Sequence, residues 1–170
     1  MHEDEIKLTR TIQKLVKGTN INEETLLATD YLNHFNEVIM LLELVPDMPE
    51  CLEDVKEWQP KTYADHFADS TFSDKKLAVL AYENAPVGYR LPFDETTEEI
   101  NQKVKQSIID IEAVQKSGVN EQLRDVVNTT TRDIQLLMDR SSAIINGDFG
   151  KALEQEAVTL DQDDIDALFD

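Results

Sequence analysis

Apolar residues along this chain recur mostly at spacings of three and four, the period of helices that bury one face. A first helix is predicted over residues 3–17, with Ile6, Ile12, Leu15 and Val16 as its apolar positions and Gly18 just past its end. Asn22 is placed to cap a second helix whose first turn holds Glu23 and Glu24, acids that suit the positive end of the helix dipole. Leu27, Tyr31, Phe35, Val38, Leu41, Leu42 and Val45 mark its buried face, and Pro46 and Pro49 stop it. The stretch 46–93 is more broken. Prolines at 46, 49, 60, 86 and 92 divide it, and short helices are expected near 50–58, 61–69 and 73–84.

A long antiparallel helical hairpin is expected next. Thr96 and Glu99 form a Thr-x-x-Glu capping box that opens its first arm, with Ile100, Val104, Ile108, Ile111 and Val114 along one face. Ser117-Gly118-Val119-Asn120 supplies a helix-ending glycine and a new cap. Leu123, Val127, Thr130, Ile134, Leu137, Ser141 and Ile144 follow at steps of 4-3-4-3-4-3, a seam for a partner helix. At 1.5 Å per residue the arms reach roughly 30 and 39 Å. Small polar Thr130 and Ser141 let the helices approach closely, and their hydroxyls can bond back to the preceding turn. The fold class is therefore all-α, a helical bundle, and part of the seam is available for a homodimer contact.

Charge divides the chain further. The formal net charge is −19, distributed as +1 over residues 1–18, −11 over 19–95, −2 over 96–147 and −7 over 148–170. Such acidity argues against nucleic acid or anionic membrane as a partner, since both need clustered Lys and Arg. The last 23 residues carry the densest charge and begin within Asn146-Gly147-Asp148-Phe149-Gly150, a helix stop. A bundle domain over 1–147 and a flexible acidic tail over 148–170 are expected. The greasiest run, residues 38–45, is far shorter than the roughly 20 residues a bilayer span needs. Residues 1–5 are acidic where a signal peptide would be basic, and the lone Cys51 fits a reducing compartment, so a cytoplasmic location is expected.

Candidate chemistry is sparse. Asp30, His34 and Glu37 share one helical face, and His66 with Asp65 and Asp69 adds donors, so a metal-binding bundle is one alternative. The bland alternative is a polar stripe. His34 also has the helical setting of a phosphoryl acceptor, but Glu37 one turn on would repel a phosphate. Cys51 has acidic neighbours that disfavour its thiolate, and neither a Gly-x-Ser-x-Gly elbow nor a phosphate-cradling glycine loop is present. No catalytic residue and no cofactor is predicted. Seven of the eleven aromatics (Trp58, Tyr63, Phe67, Phe72, Tyr82, Tyr89, Phe93) fall in the broken region. They are expected to fill gaps in a loop-rich cap, although a binding pocket fits the same spacing.

The sharpest pattern is Leu160-Asp161-Gln162-Asp163-Asp164-Ile165-Asp166-Ala167-Leu168-Phe169. Asp161 can cap a short helix, and Ile165, Leu168 and Phe169 make an apolar stripe at i, i+3 and i+4. A helix this short is marginal alone, so an acidic segment ending in one suits folding onto a partner's groove. The segment resembles the Leu-Ser-Gln-Asp-Glu-Ile-Asp-Ala-Leu peptide that opens the bacterial flagellar switch proteins, and it is similar to the tail of the chemotaxis phosphatase CheZ. In both families such a peptide is a docking segment for the phosphorylated response regulator and, in the switch proteins, also for a flagellar assembly ATPase. The resemblance implies contact residues Asp164, Ile165, Leu168 and Phe169, with Gln162 and Asp163 at the helix start. It also raises a second alternative, a CheZ-like response-regulator phosphatase. That enzyme presents an Asp and a Gln four residues apart, and no Asp-x-x-x-Gln occurs here; Gln106 with Asp110 and Gln135 with Asp139 run in the opposite order. Glu98-x-x-Asn101 echoes the pair of another class of chemotaxis phosphatases. The resemblance therefore implies an adaptor in bacterial signalling or motility rather than an enzyme.

Overall fold

A computed structural model describes residues 2–148. Among them are seven α-helices and no strand, the all-α bundle expected. The helices are α1 (His2–Leu15), α2 (Asn33–Leu44), α3 (Cys51–Glu57), α4 (Tyr63–Asp69), α5 (Lys75–Glu83), α6 (Val87–Ser117) and α7 (Asn120–Ile145), with a 3₁₀ turn at Thr29–Leu32. None is long and apolar enough to cross a membrane.

The backbone of the bundle is the α6–α7 pair. Gly118 takes φ +76°, a left-handed turn that lets the chain reverse within two residues. Ion pairs between Glu99 and Arg140 (2.9 Å) and between Lys103 and Asp133 (3.0 Å) show the two helices running antiparallel. The buried row on α7 is Leu123, Val127, Thr130, Ile134, Met138, Ser141 and Ile144. Met138 replaces the expected Leu137, because a 3.6-residue turn drifts away from a strict seven-residue repeat. On α6 the row is Phe93, Thr96, Ile100, Val104, Ser107 and Ile111, so Ser107 holds the seam position while Ile108 is only half-buried. The seam is thus buried within one chain, against α2, α3 and the 3₁₀ turn packed around the hairpin.

Three expectations need correction. First, the first arm begins at Val87 rather than Thr96, giving a helix of 31 residues, about 46 Å long. Thr96 does not cap. Its hydroxyl donates to the carbonyl of Pro92 (2.8 Å) and that of Thr97 to the carbonyl of Phe93 (3.0 Å), the habit of threonine inside a helix. Pro92 costs the hydrogen bond that the Gly88 carbonyl would accept, and complete burial of Phe93 one residue later offsets it. Second, Asn120 is the first residue of α7 and makes no side-chain cap.

Third, no helix starts at Asn22. Its Oδ1 does accept from the N–H groups of Glu24 and Thr25 (2.9 Å each), but the turn closes on itself. The Leu26 N–H donates to the Asn22 carbonyl (2.8 Å), Ile21 bridges Ala28, and Leu26 sits at φ +62°. Residues 25–28 are all buried in succession. A helix would rotate one of them out to solvent, whereas this tight loop inserts all four. The Thr25 hydroxyl then donates to the Ile145 carbonyl at 2.5 Å, locking the loop to the end of α7.

The remaining elements fall close to their expected places. Ile12 and Val16 anchor α1, while Ile6 and Leu15 lie on its solvent side at 51% and 55% exposure. The Thr62 hydroxyl accepts from the Asp65 N–H (3.1 Å) and caps α4. After Ile145 the Gly147 N–H donates to the Ile144 carbonyl (3.0 Å) and the Asp148 N–H to the Ala143 carbonyl (2.7 Å), a Schellman stop.

Candidate functional site

The broken region wraps its rings around Tyr31. The ring of Tyr31 meets Phe35, Tyr63, His66 and Phe93 at centroid distances of 5.2–5.8 Å. Tyr63 in turn stacks on Tyr82 at 4.5 Å. These rings reach one place because the 3₁₀ turn, the start of α4, the end of α5 and the beginning of α6 converge there. Their polar tips bind the backbone of the loops they cover. The Tyr31 hydroxyl donates to the Lys61 carbonyl (2.7 Å), and the Tyr63 oxygen accepts from the Ala28 N–H (3.0 Å). Burial pushes both phenols well above their ordinary pKa.

A cavity of about 260 Å³ opens beside this cluster. Its apolar walls are Tyr31, Tyr63, Tyr82 and Phe93, and its polar margin includes Asp94, Glu98 and Asn101. The Tyr82 hydroxyl donates to Asp94 Oδ1 at 2.7 Å, and burial followed by that bond pushes the phenol up to about 12. Asn101 Oδ1 is fully buried with no hydrogen-bond partner among the described residues. The Lys61 ammonium pairs with Asp69 at 3.2 Å. A second hollow of about 440 Å³ lies where Arg10 and Lys14 of α1, with Lys17 in the turn after it, face Glu23 and Glu24, so its charges largely offset one another.

The proposed metal donors do not form a ligand set. His34 is only 4% exposed; its Nε2 accepts from the Lys61 N–H (2.8 Å) and its ring stacks on Trp58 at 4.5 Å. Burial, with His66 and Lys61 adding to it, lowers its pKa from 6.5 to about 4. Burial also lowers His66, against the pull of the Asp30 backbone carbonyl. Glu37 points to solvent, and among the described residues no three His, Cys, Asp or Glu side chains are grouped to hold a metal. Cys51 is buried, and burial with Asp54 and Glu50 nearby pushes its thiol up, away from nucleophilic chemistry. Gln106 donates to Asp110 (3.0 Å) and Gln135 to Asp139 (3.1 Å), two exposed pairs closed along their own helices.

The expected docking residues Gln162, Asp163, Asp164, Ile165, Leu168 and Phe169 lie outside the described residues. Sequence reasoning left open whether residues 58–93 form a pocket or only core, and the structure places a cavity there. The aromatic enrichment of residues 58–93 signalled it, but Tyr31 and Asn101 come from outside that stretch. No protein-family model, no curated protein and no solved structure matches the chain.

Proposed function

We propose that this chain is a non-enzymatic adaptor whose residues 162–169 dock on a receiver-type or motility-associated protein. One observation carries the reading: the sequence Gln162-Asp163-Asp164-Ile165-Asp166-Ala167-Leu168-Phe169 joins an acidic helix start to a three-residue apolar stripe. The described bundle supports it indirectly. The buried His34 holds the Lys61 loop, the half-buried His66 packs against the Tyr31 and Phe67 rings, and Cys51 is buried, so these groups serve the architecture of the fold. The Schellman stop at Gly147 closes α7 upstream of the motif.

Burying Ile165, Leu168 and Phe169 contributes roughly 1.5–3 kcal/mol each, before the cost of ordering the segment is subtracted. The aspartates add steering and register toward a basic rim. The test is a calorimetric titration of a phosphorylated receiver domain, and separately of a flagellar assembly ATPase, with the full chain and with a chain ending at Leu160. Truncation is expected to abolish binding while leaving the thermal unfolding of the bundle almost unchanged. An isotherm that survives truncation refutes the docking role.

A further inference from the structure

We propose that the solvent face of α1 is a docking surface for residues 161–170 of the same chain, which lie outside the described structure. The contact itself does not need the partner reading given above; its regulatory meaning rests on that reading. Between Ile6 and Gly18 the sequence carries Lys7, Arg10, Lys14 and Lys17 and no acid, in a chain whose formal net charge is −19. The acids of α1 are confined to residues 3–5. Lys7, Arg10 and Lys14 fall at i, i+3 and i+7, so they share one exposed stripe of the helix. Among the described residues no ion pair engages any of the four cations. Ile6, Leu8 and Leu15 are exposed on the same helix, with Leu8 and Leu15 two turns apart on one side. Unpaired cations beside exposed apolar side chains suit a segment that is itself acidic and apolar.

Charge and chain path select the occupant. Residues 161–170 hold five aspartates, no base and the apolar Ile165, Leu168 and Phe169, the complement of that face in both charge and hydropathy. The chain also leaves the described structure beside it. Gly147 lies against the Glu24 carboxylate, and Glu24 borders the hollow lined by Arg10, Lys14 and Lys17. Glu24 already accepts from the Tyr89 hydroxyl (2.6 Å). Lys7 lies about 15 Å from Lys17 along the helix, and the twelve residues 149–160 can span up to roughly 40 Å, so the segment reaches the whole stripe. Joined to its site, it meets that site at an effective concentration in the millimolar range. A Kd of about 0.2 mM for the separated segment then keeps roughly five molecules in six closed. A partner that takes Ile165, Leu168 and Phe169 has to displace α1 first, which raises its apparent Kd about sixfold. Nucleic acid and anionic membrane, which seek the same cations, are repelled by the acidic remainder of the chain.

The experiment compares NMR spectra of the full chain with two full-length variants at low salt. The first, Ile165→Ser, Leu168→Ser, Phe169→Ser, changes only the segment. The second, Lys7→Gln, Arg10→Gln, Lys14→Gln, changes only exposed, unpaired side chains and keeps the fold. The segment variant is expected to move the backbone amide signals of residues 7–17 and leave those of α6 and α7 in place. The α1 variant is expected to move the Ile165 and Leu168 methyl signals. Both differences should shrink at least about threefold in roughly 0.5 M NaCl, where the Debye length is near 4 Å, and should not change over about a tenfold range of protein concentration. Coincident α1 amide signals in parent and segment variant overturn the proposal, as do methyl signals that ignore the α1 variant. Differences that survive salt undiminished remove the charge complementarity, and differences that grow with concentration assign the face to the segment of a second copy; either result also overturns it. No partner is added, so a failed receiver titration leaves these readouts intact.

Discussion

The α6–α7 hairpin and the aromatic region between residues 21 and 93 are held together in different ways. In the hairpin, small and branched side chains interlock along a repeating row, and helical hydrogen bonds satisfy the backbone without help. In the aromatic region the backbone turns too often to satisfy itself. Side chains take over: Tyr63 serves Ala28, His34 and Tyr31 both serve Lys61, and the Trp58 indole donates to the His34 carbonyl (3.3 Å). Hairpin stability is therefore distributed and set by volume, whereas the aromatic region depends on a few polar atoms, each of which fixes a loop.

Volume still matters inside the aromatic region, and the largest effect is expected there. Phe35→Ala, at a fully buried ring touching Tyr31 and His34, should cost about 3–5 kcal/mol in chemical denaturation. A cost below about 1 kcal/mol would mean that this ring is not part of a packed core. Next is pH. Between pH 6.5 and about 4 the unfolded chain binds a proton that folded His34 refuses, so stability falls as pH falls through that window and is untouched above it. The shift corresponds to about 3 kcal/mol once the pH is below both values. His34→Gln, which keeps an acceptor for the Lys61 N–H, should flatten that part of the stability–pH curve relative to the parent.

Two hydroxyl deletions then sharpen the contrast, because they should have opposite signs. Tyr63→Phe strands the buried Ala28 N–H and should cost about 1–3 kcal/mol. Ser141→Ala removes a buried hydroxyl that has no partner among the described residues, and should raise stability by about 0.5–1 kcal/mol. Melting temperatures that move the same way for both variants would erase the distinction between the regions.

The hairpin was legible in the sequence because one period governs it over more than forty residues, so small errors such as Leu137 for Met138 do not accumulate. The three short helices were legible from their prolines. Residues 22–32 were misread for a physical reason: an Asn that bonds the next backbone N–H groups looks the same whether it opens a helix or closes a turn. Only the tertiary demand to bury residues 25–28 together decides between them. The Thr96-x-x-Glu99 box misled in the same way, since threonine also bonds backward inside a helix. The cavity was the least legible feature. Its lining joins Tyr31 to Asn101 across 70 residues of sequence, and no local spacing records that meeting.

The bond from Thr25 to the Ile145 carbonyl spans 120 residues. A growing polypeptide leaves the ribosome in order, and early segments ordinarily settle first. Here the tight loop near the start has its acceptor near residue 145, so its docking has to wait until most of the chain has been translated. Until then the Thr25 hydroxyl lacks the acceptor that fixes the loop, and chaperones have an interval in which to meet its leucines.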